Sequence, residues 1–238
     1  MIVTDNFVYI HTSRHAGTFL NRLILQCVPN AHGIQYHGHL SMLNEKHSHL
    51  PVIGFVRNPW DWYVSMYVNY RKKGQYIFRV ISEDGRLNFE ETVARYLLLG
   101  DGSALSNNLL NQLIKICPAE INENTNPNIC RPALTSSNFS DYKADCGYYS
   151  WLFQLMFASD KSPKIHIGRF EDLQQEIIRL LRETNTPITE QILQYVNNSP
   201  AINTSERDKS YKKYYSNDLR LLVEEKEKYI IENYGYTF

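Results

Sequence analysis

Arg14, Gly17 and Thr18 stand together in the run Thr12-Ser13-Arg14-His15-Ala16-Gly17-Thr18-Phe19, and that combination suits an anion. A glycine lets a phosphate approach backbone N–H groups. A threonine adds a hydroxyl donor and an arginine adds a fixed positive charge. A second pair, Arg57 and Ser65, offers a guanidinium and a hydroxyl, both donors to phosphate oxygens. The third group is histidine: of eight in the chain, His11, His15, His32, His37, His39, His47 and His49 all fall before residue 50. A histidine of near-neutral pKa can take a proton from an attacking hydroxyl, and His37 or His39 could do so if their turn faces the loop at Arg14. These residue types allow phosphate binding followed by transfer of a group to a hydroxyl.

Strands and helices must place them. Phe7-Val8-Tyr9-Ile10 is rich in β-formers, as a buried strand requires. Leu20, Leu23 and Ile24 then fall at helical spacing, so a helix is expected to open between Ala16 and Thr18. Its unpaired N–H groups and macrodipole would attract phosphate. The loop is not a Walker A sequence, for it lacks the first Gly and the Lys before Thr18, and many strand-to-helix turns with a glycine bind nothing. Gly33 to His39 reads as a short strand running into the histidine turn. Pro51 to Val56 suits a buried strand of a parallel sheet. Asn58 can cap and Pro59 can begin the next helix, with Trp60, Tyr63, Val64 and Tyr67 as its buried stripe. Arg57 then sits at the carboxyl end of a strand, where ligands of open α/β sheets bind, and Ser65 lies off the stripe.

Farther on, Phe89 to Leu99 is expected to be helical. Residues 100–147 are poor in periodic apolar residues and read as a long loop or lid. Tyr148 to Phe157 is a dense apolar helix or short strand, Lys164 to Gly168 a strand, and Glu171 to Glu183 a helix. A last helix is capped by Ser216 and followed by Gly235. One domain over residues 1–238 is expected, since the chain is long enough for one substantial core and shows no linker. Lys plus Arg number 25 against 25 Asp plus Glu, which removes the footprint of a general nucleic-acid binder. No apolar run approaches the roughly 20 residues needed to cross a bilayer, and no secretory leader is visible; the cytoplasm is the expected compartment. Cys27, Cys117, Cys130 and Cys146 have no metal-site spacing, so reduced thiols and no metal are expected, with a Cys117–Cys130 bridge the less favoured pairing.

The loop Ser13-Arg14-His15-Ala16-Gly17-Thr18-Phe19-Leu20 resembles the "PKTGGTSL" loop of sulfotransferases, and Phe55 to Ser65 (FVRNPWDWYVS) resembles their "vRNPydrlvS" segment. Ile167 to Leu173 (IGRFEDL) is similar to their "igRfEdL", and the tail from Ile202 is similar to that of soluble bacterial members and the carbohydrate sulfotransferase branch. The resemblance spans nearly the whole chain and thins between about residues 75 and 147. It implies a P-loop NTPase-like, three-layer α/β fold with a mostly parallel central sheet flanked by helices. It also implies 3'-phosphoadenosine 5'-phosphosulfate (PAPS) as donor and a hydroxyl, on a glycan by inclination, as acceptor. Arg14, His15, Ala16, Gly17, Thr18 and Phe19 would hold the 5'-phosphosulfate, Arg57 and Ser65 the 3'-phosphate, and His37 or His39 would be the base. Arg207 and Lys209 would close over the donor. Two residues depart from the family. Arg14 replaces a lysine, so it can stabilise charge but hardly donate a proton, and His15 replaces a small hydroxyl residue, either as a donor to the phosphosulfate or as a side chain in solvent. A phosphotransferase on the same layout is the rival enzyme, disfavoured by the missing Walker lysine; a catalytically silent nucleotide-binding protein is the other alternative.

Overall fold

A computed structural model describes residues 1–35, 37–121, 133–143, 145–160, 163–199, 207–208 and 210–238. The elements are β1 (Ile2–Val3), β2 (Val8–Tyr9), α1 (Gly17–Cys27), β3 (His32–Gly33), β4 (Val52–Val56), α2 (Pro59–Lys73), α3 (Tyr76–Ile81), α4 (Phe89–Leu97), α5 (Ala104–Ile116), α6 (Ser136–Ser140), α7 (Tyr148–Phe157), β5 (Ile165–Arg169), α8 (Leu173–Glu183), α9 (Glu190–Asn198), α10 (Asn217–Lys226) and α11 (Lys228–Tyr234). They pack as two compact units, Met1–Arg57 with Phe153–Thr204, and Asn58–Leu152 with Ser205–Phe238.

The first unit holds an open five-stranded sheet in the order β3-β1-β2-β4-β5. It is mixed, where a mostly parallel sheet was expected: β2, β4 and β5 run parallel, while β1 pairs antiparallel with both β2 and β3. The reason is local. Thr4 Oγ1 accepts from the backbone N–H groups of Asn6 and Phe7, closing a hairpin too short for the crossover that a parallel pair needs. Phe7, Val8, Tyr9 and Ile10 are buried, as their composition requires, and β4 is buried at every position. Phe7, Tyr9, Ile53 and Phe55 pack with Leu20, Leu23 and Ile24 of α1, Ile177, Leu180 and Leu181 of α8, and Ile192 and Val196 of α9. That apolar core fixes α1 against the sheet and so sets where its N-terminus points.

In the second unit α2 is capped as its sequence says, with Asn58 Oδ1 accepting from Asp61 N. Its burial is not confined to a stripe, for Trp60, Trp62, Tyr63, Val64, Ser65, Met66, Tyr67 and Tyr70 are all buried. Trp62 stacks on Tyr149 of α7 at 4.4 Å between ring centroids. The region 100–147, expected as a loop or lid, contains α5 and α6. Ser103 Oγ caps α5 by accepting from Ser106 N, and Leu109 and Leu113, one turn apart, face inward. The expected last helix divides at Glu227 into α10 and α11, and Gly235 ends it in the left-handed conformation. Among the described residues no helix is long and apolar enough to cross a membrane.

Candidate functional site

The carboxyl ends of the parallel strands carry the residues of interest. β2 runs into the loop Thr12–Gly17, β4 into Arg57, and β5 into Phe170. Thr12 Oγ1 donates to the Phe55 carbonyl and holds the loop to the end of β4. Within the loop Arg14 (φ 69°) and Ala16 (φ 56°) are both left-handed, at roughly 1 kcal/mol each for a residue with a Cβ. Left-handed residues alternating along a loop turn successive N–H groups to one side, a concavity that accepts anions, and strain of this kind concentrates at functional sites. Ala16 is also the residue that opens α1, and no side chain caps that helix. An anion at this terminus would meet both the loop N–H groups and the positive end of the helix dipole.

Arg57 locks the loop. Its Nη1 donates to the Arg14 carbonyl at 2.9 Å, and its guanidinium carbon lies 4.1 Å from the centre of the Phe170 ring. The side chain is buried, so its charge acts in a medium that screens it less than water does. The geometry brings Arg57 to Arg14 itself, a contact that sequence spacing alone could not show. Ser65 is buried on α2 in the second unit. Phe19 is a core side chain, edge-on to Tyr195 of α9 at 5.3 Å, so only its backbone could serve an anion. Thr18 is half-buried.

His15 is 1 % exposed, which excludes a side chain in solvent. Its Nδ1 meets the Ser13 carbonyl at 2.6 Å, so it braces the loop from inside. Burial, then the Arg57 charge, push its pKa down to about 3, with the Ser13 bond acting the other way. The folded protein thus keeps His15 neutral where the unfolded chain, at about 6.5, takes up a proton. Stability is lost as pH falls from about 6.5 toward 3, by up to about 1.4 kcal/mol per pH unit from this group. In urea titrations across that range, His15→Gln is expected to show a flatter acid limb than the wild type; parallel curves would rule the assignment out.

His37 and His39 follow β3, and both are buried. His37 is left-handed (φ 56°), and its Nδ1 lies 3.1 Å from the His11 carbonyl. A carbonyl only accepts, so His37 Nδ1 carries the proton and Nε2 holds the lone pair when the ring is neutral. That is the tautomer of a proton acceptor. His39 begins the short 3-10 turn Leu40–Met42. His11, not nominated from sequence, lies at the centre of this arrangement: its ring is 4.2 Å from that of His37 and rests on Gly17, where an added Cβ would fall 1.7 Å from Nε2. The only signal for it was the clustering of histidines toward the start of the chain.

Arg207, expected to close over the donor, is engaged by Asp61 of α2 at 2.5 Å; Lys209 and Cys130 lie outside the described residues. Cavities of about 530 and 510 Å³ lie in the second unit and are lined by none of the nominated site residues. No group of three or more His, Cys, Asp and Glu among the described residues could hold a metal ion. No family model, curated protein or solved structure matches this chain.

Proposed function

We propose that this chain is a sulfotransferase that moves a sulfuryl group from PAPS to an acceptor hydroxyl. The observation that carries the reading is the loop Thr12–Gly17, strained at Arg14 and Ala16, uncapped at the start of α1, and tied to Arg57 at the carboxyl ends of adjacent parallel strands. The parallel trio β2–β4–β5 with this loop at its end is also what a P-loop NTPase-like layout would provide.

In this reading the loop N–H groups and Arg14 receive the 5'-phosphosulfate and Arg57 the 3'-phosphate, the group that separates this donor from ordinary adenine nucleotides. The acceptor oxygen attacks sulfur in line. Its proton passes to His37 Nε2, the bond from sulfur to the bridging oxygen breaks, and 3'-phosphoadenosine 5'-phosphate leaves. Arg14 stabilises negative charge on that leaving oxygen without giving up a proton. His37 stands ahead of His39 as the base because its Nδ1 is held by the His11 carbonyl. A sugar hydroxyl is the preferred acceptor class by family likeness.

Calorimetric titration with 3'-phosphoadenosine 5'-phosphate, beside 5'-AMP and ATP, tests the donor. Binding of the bisphosphate at least about tenfold tighter than of AMP, a difference of about 1.4 kcal/mol, is the expected result. Equal or absent binding would sink the reading. Arg14 in the place of a lysine favours one second reading, a nucleotide-binding protein that has lost the reaction. Tight bisphosphate binding with no transfer to any hydroxyl would select it.

A further inference from the structure

His11 touches both halves of the proposed site. It follows β2, and its backbone carbonyl accepts from His37 Nδ1 at 3.1 Å. Its ring is tilted against the His37 ring with 4.2 Å between centroids. The same ring packs on Gly17, so closely that no Cβ could stand there. Asn21, one turn farther along α1, places its Nδ2 3.2 Å from His11 Nδ1. An amide nitrogen only donates, so His11 Nδ1 accepts and its proton lies on Nε2, toward Gly17. Tyr9 stands roughly parallel to the ring at 6.2 Å, and the side chain is 6 % exposed. The imidazole is therefore fixed on one edge by α1 and offers a fixed face to His37.

We infer that His11 is a positioning residue for His37: anchored to the first turns of α1 through Asn21 and Gly17, it holds the His37 ring in one orientation with Nε2 directed away from the His11 carbonyl. The physical need is plain. A base displaced by even about 1 Å can lose on the order of a hundredfold in rate. The arrangement also ties the base to the helix terminus that would hold the donor, so that base and anion site keep one geometry. Its use in transfer rests on the sulfotransferase reading; the coupling of the two rings does not.

The test is ¹⁵N NMR of the histidine side chains in the full-length wild type, His11→Ala and Asn21→Ala. The second variant places alanine, the best helix former, in α1 and removes only the anchor. In the wild type His37 is expected to show a single neutral tautomer, protonated at Nδ1 and bare at Nε2. In both variants its two nitrogen shifts are expected to move toward their average as the ring gains freedom. Affinity for 3'-phosphoadenosine 5'-phosphate is measured on the same three proteins. Wild-type His37 protonated at Nε2, or His37 shifts unmoved in both folded variants, would overturn the inference. Absence of bisphosphate binding with the His37 shifts still moving would defeat the sulfotransferase reading and leave the coupling standing.

Discussion

Arg57→Ala is expected to weaken binding of 3'-phosphoadenosine 5'-phosphate by about 10²- to 10³-fold, because the change removes two things at once. One is a buried guanidinium at the carboxyl end of β4, with its charge in a weakly screened place. The other is the 2.9 Å bond to the Arg14 carbonyl that holds the loop in its left-handed course. A hydrogen bond to a charged group is worth about 1.5–3 kcal/mol, so two such losses give about 3–6 kcal/mol, and the lower end, about 10²- to 10³-fold, is expected because the loop bond acts on binding only indirectly. Arg57→Lys keeps the charge but not the planar fork or the stacking on Phe170, so an intermediate loss is expected. Binding of 5'-AMP should fall less than that of the bisphosphate, because it lacks the 3'-phosphate assigned to Arg57. Calorimetry on the folded variant decides the matter. Affinity within a few-fold of wild type would remove Arg57 from the site.

Glu227→Ala is expected to cost the fold about 3–5 kcal/mol, because a buried donor left without an acceptor costs about 1–3 kcal/mol and four donors converge on this carboxylate. Glu227 sits between α10 and α11, is fully buried, and its carboxylate accepts four hydrogen bonds. Tyr63 O–H donates at 2.5 Å, Ser150 Oγ at 2.6 Å, Ser150 N at 2.8 Å and Tyr149 N at 3.2 Å. Two of those donors are backbone N–H groups in the first turn of α7, so the carboxylate also faces the positive end of that helix. Gly147 makes room for it: a Cβ there would lie 2.1 Å from Glu227 Oε1. Burial nevertheless pushes the Glu227 pKa above its usual value, and the bonds from Ser150 and Tyr63 only partly offset this. A carboxyl whose folded pKa is raised binds its proton more tightly in the native state. Stability from this group is therefore greatest below the unfolded pKa of about 4.3 and declines as pH rises through the folded value. Glu227→Gln, neutral at every pH and able to accept at the one oxygen it keeps, should cost less than the alanine change and remove that decline. Urea unfolding of the wild type and both variants, followed upward in pH from below the unfolded value, checks this. A near-neutral alanine variant would show that the carboxylate is dispensable.

The start and stop signals were legible because they are local. Asn58-Pro59 opens α2, Ser216 caps α10 and Gly235 ends α11, each through a side-chain oxygen or a backbone conformation within a few residues of its target. β4 and β5 were legible from short β-branched runs, and α1 from the spacing of Leu20, Leu23 and Ile24. The helix α5 carries Leu109, Leu110, Leu113 and Ile114 at helical spacing, a pattern that the Asn, Ser, Asp, Pro and Gly of the surrounding residues 100–147 mask when composition is averaged over the whole region. The hairpin that makes the sheet mixed escaped because Phe7 to Ile10 looks the same whether its neighbour runs parallel or antiparallel; only the Thr4 turn decides.

For the site, the sequence by itself determined the ingredients: an anion-friendly loop at a helix start, an arginine after a strand, and histidines in a turn. Spacing along a chain fixes local conformation, and these are local facts. Tertiary structure alone decided which of them meet. The parallel register of β2 and β4 brings Arg57 to the Arg14 carbonyl, 43 residues away. The hairpin that puts β1 beside β2, with β3 on the other edge of β1, brings His37 to the His11 carbonyl, 26 residues away. Burial made His15, expected as a donor to the phosphosulfate or a side chain in solvent, an internal brace, and made Ser65, expected off the buried stripe, part of a helix whose burial is not confined to one stripe. Contacts at such separations come from the packing of the sheet and its helices around one core, and no residue pattern read along the chain encodes them.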